Sequence, residues 1–474
     1  MRQFYPNHQK GRVSLQDVCA IILAAGDGKR MKSKSSKVLC EVLFKPMLKW
    51  VLDSCFASGI ETVCTVVSDH AKDVLAIVPE NCAIAVQKER RGTGHAVMMA
   101  REFLESNVDG DVLLLYGDTP FVDEETIRAA YEVHRAGGNA VTVVTADLEQ
   151  PRGYGRILRQ DGKFSAIVEE KDATEEQRAI REINSGIYWF RTAFLLEALN
   201  RITCDNAAGE YYITDTVAIA KGMGQPVGVY RSPRADVVLG ANDRKGLHQL
   251  NETARMRVLE KLMDLGVDIP FTDGVVISPD AVIGADTRIL PGTVIKGKTR
   301  IGEGCEIGPN TELNNCRIGE GVRVHSSLLE DSTVGDGARI GPFAHLRPGT
   351  TLQAGVKVGN FVEVKNSVVG EKTSIAHLTY IGDSDVGAGV NFGCGVVTAN
   401  YDGAKKHRTV VGDGAFICCN TNLIAPVTLG EGCITGAGTT VTDDVPPYAL
   451  AIGRQRQENK ENWAKEKGKY RKKQ

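Results

Sequence analysis

The sequence predicts two folds in succession: an α/β half with a mostly parallel, Rossmann-like sheet, then a left-handed parallel β-helix of hexapeptide repeats. Two observations carry this. Up to about residue 241, continuous apolar runs alternate with amphipathic segments, as strands covered on both faces by helices require. Beyond Pro270 an aliphatic residue recurs at every sixth position, a period that neither an α-helix nor a single strand explains.

In the first half Val18–Leu23, Val63–Val67, Asp111–Tyr116 and Ala140–Thr145 read as strands, and Glu124–Ala136 as an amphipathic helix between the last two. Ligands of such sheets sit at the carboxyl ends of the strands. From Asn242 to about Leu265, apolar Leu247, Leu250, Met256, Leu259 and Met263 fall at helical spacing and predict a connecting helix. The repeat then runs Ile277, Ile283, Ile289, Ile295, Ile301, Ile307, Leu313 and, after a five-residue step, Ile318. It continues through Val358, Val364, Val369, Ile375, Ile381, Val386 and Phe392, and again from Val411 to Leu429. Each hexad is one short strand and turn, and three make a triangular coil whose aliphatic residues stack inward, about 4.8 Å apart. About eight or nine coils are expected. The expected organisation is an extension over 1–17, an α/β domain over 18–241, a helical linker over 242–268, the β-helix over 269–453 and a tail over 454–474.

With 474 residues, 42% of them hydrophobic, the chain can bury two cores. No apolar run reaches the ~18 residues that span a bilayer, and the first residues lack a signal-peptide core and read as disordered. A formal charge of −2 gives no electrostatic pull toward nucleic acid or a membrane. The tail is locally basic, with nine Lys and Arg against three Glu, and reads as solvated. Twelve cysteines, with no C-x-x-C and no zinc signature, fit reduced thiols in a cytoplasmic protein.

The run Leu23-Ala24-Ala25-Gly26-Asp27-Gly28-Lys29-Arg30-Met31 follows the first strand directly. Glycines let backbone N–H groups approach a polyphosphate, and Arg30 can add charge-assisted contacts. Two glycines alone also fit a tight turn of any doubly wound fold. Met31 stands where a dinucleotide fingerprint has its third glycine, and no Gly-Lys-Ser/Thr follows, so NAD-binding and Walker A loops are disfavoured.

That run, with Lys37-Val38-Leu39 and Lys45-Pro46-Met47, resembles the signature of the sugar nucleotidyltransferases; Lys29 replaces the usual threonine, and Ser36 stands where proline is common. Tyr116-Gly117-Asp118-Thr119-Pro120 matches too, and Gln87 with Arg91-Gly92-Thr93-Gly94-His95-Ala96 resembles the family's base-recognition segment. Gly153-Tyr154-Gly155-Arg156, Val168-Glu169-Glu170-Lys171, Glu182-Ile183-Asn184-Ser185-Gly186, Tyr211-Tyr212-Ile213-Thr214-Asp215 and Ala241-Asn242-Asp243-Arg244 follow in the family's order. With the β-helix, the chain from about Val18 to about Trp463 resembles a bacterial family that joins an N-acetylglucosamine-1-phosphate uridyltransferase to a glucosamine-1-phosphate acetyltransferase.

The resemblance implies synthesis of UDP-N-acetylglucosamine in two steps. Acetyl-CoA acetylates glucosamine 1-phosphate; UTP then uridylylates N-acetylglucosamine 1-phosphate with Mg²⁺, releasing pyrophosphate. It places Leu23, Ala24, Ala25, Gly26, Lys37, Tyr116 and Gly117 around UTP, and Gln87, Gly92 and Thr93 on the uracil. Gly155, Glu169 and Asn184 would hold the sugar, and Asp118 and Asn242 the Mg²⁺, a hard cation that takes few protein oxygens. Arg30 and Lys37 would neutralise charge on the triphosphate as two anions meet.

A hexapeptide β-helix need not be an enzyme. Polar residues where the repeat has no use for them mark a site: His377-Leu378-Thr379-Tyr380, and the break from Thr398 to Val410, which reads as an extruded loop. His377 suits the general base that takes the ammonium proton before attack on the thioester. By resemblance Glu363 supports its imidazolium, and Arg347, Lys365, Tyr380 and Asn391 bind the amino-sugar phosphate. Cys394, Asn400, Tyr401, Cys419, Ala437 and Arg454 match acetyl-CoA positions, with Lys406 and Arg454 toward its pantetheine or phosphate end. Cys394 stands where the family usually has alanine, and Cys419 where it has serine. The resemblance and the flat faces of the prism imply a homotrimer with acetyl sites between neighbours. The rival is a single-activity nucleotide-sugar pyrophosphorylase with a structural β-helix, which would lack both the His377 stretch and the extruded loop.

Overall fold

The computed structural model describes residues 15, 17–26, 31–32, 35–69 and 71–468. It contains two compact units, Met1–Ala254 and Arg255–Gln474. The first is built on a sheet whose main path runs Val227–Arg231, Val141–Asp147, Glu182–Arg191, Asp111–Tyr116, Val18–Leu23, Thr62–Ser68, Ala83–Gln87. All neighbours are parallel except Glu182–Arg191, which is antiparallel to both of its own. Alternate residues of the Val18–Leu23 strand feed two cores: Cys19, Ile21 and Leu23 one face, Ala20 and Ile22 the other. That two-sided burial is why the strand reads as a continuous apolar run.

The antiparallel strand shifts register between Asn184 and Tyr188. Bulges re-aim side chains, and here Gly186 adopts φ +80° with the Tyr116 ring against it. A Cβ at Gly186 would lie 2.6 Å from that ring, so only glycine lets Tyr116 pack at the end of its strand. Next to the carboxyl ends of these strands the chain forms the connecting segments 24–26, 88–92 and 117–120.

The second unit is a three-sided parallel β-helix. Its sheets have ten, nine and ten strands, and each strand pairs in parallel with the one a coil away. The hexad residues form one core, from Ile277 through Ile340, Val364 and Phe392 to Leu429. Burial of each such side chain contributes about 1.5–3 kcal/mol. The aliphatic period undercounts the coils because Thr398 and Thr435 also face inward and break the apolar series. The recurrent glycine after the aliphatic residue has a steric cause: a Cβ at Gly359 would lie 1.9 Å from the Ala376 carbonyl oxygen of the next coil.

A helix spans Arg244–Asp264, and its Leu259 and Leu262 belong to the β-helix core. The extruded loop is shorter than expected, since Thr398 lies in the Val397–Ala399 strand and Thr409–Val411 pairs with Ser384–Val386. What protrudes is Tyr401–Arg408, braced by local bonds. Asp402 accepts from Ala404 N and Lys405 N at 2.8 and 2.6 Å and lies 2.7 Å from His407 Nε2, while Arg408 Nε donates to Asp385 at 2.8 Å. Residues 454–468 are exposed, with one short helix at Trp463–Glu466.

Candidate active sites

At the strand ends of the first unit, Asp118 and Asn242 converge on a single cation, the Lys37 ammonium. Lys37 Nζ forms an ion pair with Asp118 and donates to Asn242 Oδ1 at 2.9 Å. Asp118 ends up there because Gly117 follows the strand in a space where a Cβ would crowd Leu48, Leu23 O and Val38. The 240–242 segment lies alongside, with the Gly240 Cβ position 3.0 Å from Asp118 O. The oxygens of Asp118 and Asn242 thus already share one positive charge, which fits a two-oxygen protein contribution to a hydrated Mg²⁺. Among the described residues no group of three or more His, Cys, Asp or Glu offers a denser metal site.

The phosphate-loop residues Leu23, Ala24, Ala25 and Gly26 follow the first strand. Leu23 O accepts from Gly117 N at 2.9 Å, and Ala24 N donates to Val66 O at 2.8 Å. Arg30, with Asp27, Gly28 and Lys29, lies outside the described residues. Arg90, which motif reading missed, donates from Nε to Ala25 O at 3.1 Å and anchors the loop.

Gln87 is buried at a strand end, its Nε2 3.2 Å from Gly92 O and 3.1 Å from His95 Nδ1, so the opposite amide oxygen is fixed in direction. Gly92 holds φ +105° and packs so closely that a Cβ would sit 2.5 Å from Tyr211 O. Tyr211 N donates to Arg91 O, Gly94 N to Tyr211 O, and Ile213 N to Thr93 Oγ1, at 2.8, 2.8 and 3.1 Å. Burial pushes the Tyr116 phenol up, and its hydroxyl is hydrogen-bonded to Thr93.

Gly155, Glu169 and Asn184 also come together. A Cβ at Gly155 would meet Asn184 Cβ at 3.5 Å and Glu169 Oε1 at 3.6 Å, and Asn184 N donates to Gly155 O at 2.9 Å. The Asn184 amide donates to Tyr188 Oη at 2.6 Å, and Glu169 accepts from the Thr214 hydroxyl at 3.2 Å. Burial raises the Glu169 carboxyl above its ordinary range despite that bond.

In the β-helix the ladder lines up one corner across successive coils. Leu378 N donates to Asn360 O, Gly395 N to His377 O, Asn420 N to Cys394 O and Gly438 N to Cys419 O. Asn360, His377, Cys394, Cys419 and Ala437 therefore occupy one column, each two residues after an inward side chain, with steps of about 4.8 Å. His377 Nδ1 is 3.0 Å from Asn360 Oδ1. An amide oxygen only accepts, so this bond is made by the tautomer with its proton on Nδ1, the one that leaves Nε2 free to act as a base.

Glu363 Oε1 accepts from Arg347 at 2.8 Å. Lys365 and Tyr380 lie on neighbouring strands of one sheet and Arg347 directly follows the His345–Leu346 strand of the same sheet, whereas Asn391 lies on another sheet of the prism. The Lys406 ammonium beside Lys365, helped by Arg347, holds the Lys365 ammonium below its ordinary range. Lys406 thus joins the group expected to bind the sugar phosphate, in addition to its expected place toward acetyl-CoA.

A second corner carries residues that motif reading missed. Asp383, buried, accepts from Asn366 Nδ2 at 2.5 Å on one side and from the Asn400 amide on the other, one coil to either side. Asn400 Nδ2 is also 3.5 Å from Tyr380 Oη. The exposed Tyr401 hydroxyl donates to Gly403 O at 2.7 Å, Cys419 and Arg454 are exposed, and Cys394 is half-buried. A count of one coil, 17 residues, from His377 back to Asn360, or from Asn400 back to Asp383 and on to Asn366, is the signal that would have found these partners.

A nucleotidyl transferase family model matches residues 19–233, and a six-repeat bacterial transferase hexapeptide model matches 280–315, 331–366 and 408–443. Bifunctional protein GlmU of Geobacillus thermodenitrificans is 49% identical over 445 residues, which cover 94% of this chain and 97% of that protein. The chain belongs to the GlmU bifunctional family. GlmU of Caldanaerobacter subterraneus subsp. tengcongensis is 46% identical over 96% of this chain and 99% of its own, and GlmU of an Exiguobacterium species is 47% identical over 94% and 99%. As a GlmU-family member the chain is a bifunctional transferase, a nucleotidyltransferase in its first half and a hexapeptide-repeat acyltransferase in its second.

Proposed function

We propose that the chain makes UDP-N-acetylglucosamine by two transfers at separate sites, acetyl transfer first. The observation that carries this is the separation itself: the Asp118–Lys37–Asn242 cluster and the His377 column lie in different compact units and share no residue.

In the first step glucosamine 1-phosphate binds with its phosphate on Arg347, Lys365 and Lys406. His377 Nε2 takes a proton from the 2-ammonium group, the freed amine attacks the acetyl carbonyl, and CoA thiolate leaves. Asn360 holds the imidazole in the required tautomer. The acetyl-CoA arm follows the column past Cys394, Cys419 and Ala437 toward Arg454. Cys419 offers a thiol where a hydroxyl is usual, so contacts there are carried by backbone atoms.

In the second step a phosphate oxygen of N-acetylglucosamine 1-phosphate attacks the α-phosphorus of UTP, and the bond to pyrophosphate breaks. Lys37 and Arg30 place positive charge at the triphosphate, and alignment supplies most of the rate. Gln87 and the 92–93 backbone hold the uracil, while Gly155, Glu169 and Asn184 hold the sugar. Mg²⁺ bound by Asp118 and Asn242 supplies charge neutralisation of the phosphates when present.

Asn391, on a different sheet from Lys365 and Tyr380, supports a homotrimer in which a neighbouring copy brings it to the sugar phosphate. Among the described residues no helix is long and apolar enough to cross a membrane, and we place the enzyme in the cytoplasm with its soluble substrates. One assay tests the whole reading. Glucosamine 1-phosphate, acetyl-CoA, UTP and Mg²⁺ should yield free thiol and then pyrophosphate; thiol without pyrophosphate, or the reverse, would reduce the enzyme to one activity.

A further inference from the structure

We propose that Cys394 and Cys419 form a peroxide-oxidisable thiol pair whose disulfide blocks the acetyl-CoA column and shuts off acetyl transfer. The blocking effect rests on the function proposed above; the pairing of the two thiols does not. Both cysteines follow an inward residue by two positions, Phe392 and Ile417, which face each other in register. The bond from Asn420 N to Cys394 O, at 2.8 Å, carries that register through the corner and sets Cys394 against Cys419. In-register neighbours on parallel strands are about 4.8 Å apart, within the roughly 4.4–6.8 Å Cα separation that a disulfide accepts. Both are free thiols, one half-buried and one exposed, at a corner that a small oxidant can reach.

The other cysteines lack these conditions. Seven are buried, and burial pushes the thiols of Cys19, Cys55 and Cys64 up to about 12. Cys40 and Cys204 lie in the first unit. Cys418 is next to Cys419, yet its register neighbours are Gly393 and Gly436, which carry no thiol.

The chemistry balances with hydrogen peroxide as the oxidant. The exposed Cys419 sulfur attacks one peroxide oxygen, the O–O bond breaks, and water leaves a sulfenic acid. Cys394 sulfur then attacks that sulfur, the S–O bond breaks, and a second water departs as the S–S bond forms. The bridge lies directly between His377 and Ala437 on the column.

Full-length reduced protein, treated with hydrogen peroxide and mapped by mass spectrometry, tests this. The expected result is a Cys394–Cys419 link and loss of two titratable thiols. Acetyl transfer should fall at least about tenfold, uridyl transfer should be unchanged, and dithiothreitol should restore the loss. Cys394→Ala and Cys419→Ser, each compared with its own untreated rate, should keep that rate after peroxide. The absence of the link, a link with undiminished acetyl transfer, or equal inactivation of both variants would overturn the proposal. If untreated protein transfers no acetyl group, the assignment of the site fails, while mapping still decides whether the thiols pair.

Discussion

His377 Nδ1 and Asn360 Oδ1 lie 3.0 Å apart, one coil of the β-helix from each other. Asn360 is therefore a positioning residue for the base. Asn360→Ala should lower kcat for acetyl transfer about tenfold with a small change in KM, because tautomer control is lost and substrate contacts are kept. Asn360→Asp keeps an acceptor and adds charge, so it should restore part of the rate and move the acidic limb of the pH profile upward. A merely structural role would leave that limb in place.

His377→Ala should abolish CoA release from glucosamine 1-phosphate, by on the order of a hundredfold or more. The same protein should still make UDP-N-acetylglucosamine from N-acetylglucosamine 1-phosphate and UTP. Parallel loss of both rates would show that the two sites are coupled.

Asp118→Ala is the mirror experiment. Uridyl transfer should fall on the order of a hundredfold or more while acetyl transfer is retained, since distant sites without shared partners behave independently. Titration of Mg²⁺ in the variant should show a raised requirement for the ion.

Gly92 holds φ +105° against the Tyr211 backbone. Gly92→Ala should destabilise the first unit by about 1–3 kcal/mol through strain and contact. It should also raise the KM for UTP by displacing Thr93 and Gln87. Urea unfolding together with uridyl-transfer kinetics separates the two effects.

Glu182 carries a pH dependence. Burial alone would raise its carboxyl, but bonds from the Arg159 fork and the Thr145 hydroxyl outweigh it and hold the group below the ordinary glutamate range. A carboxyl lowered on folding contributes stability above its unfolded pKa of about 4.3, and that contribution disappears as pH falls through the folded value. Glu182→Gln should cost about 2 kcal/mol at pH 7 and flatten the loss of stability in acid. Unfolding of both proteins across that range measures the difference.

The hexad period made the β-helix legible because each inward residue is isolated between outward ones, a pattern that survives residue by residue. The strands Val18–Leu23 and Asp111–Tyr116 and the helix Glu124–Ala136 have the bounds read from the sequence. Partnerships were less visible. Asn360 and Asp383 look like ordinary turn residues until the coil length is counted, because their meaning is in the neighbour 17 positions away. Glu363, matched to the imidazole by its motif, accepts from Arg347 of the preceding coil, a diagonal contact two positions past its in-register neighbour His345 that no motif displays. Inward Thr398 and Thr435 hid two steps of the repeat, their hydroxyls breaking the apolar series while their positions keep it.

The corner from His377 to Ala437 works as a ruler. Three steps of a fixed rise put its marks about 14 Å apart end to end, and the scale can be read only in whole divisions. Excising one complete coil would move a far mark by one notch without turning any side chain on it. Removing one hexad, a third of a coil, would swing each far mark onto another face of the prism. Reach along this edge can therefore change only in jumps, and the protein can lengthen or shorten it without redesigning the residues at either end.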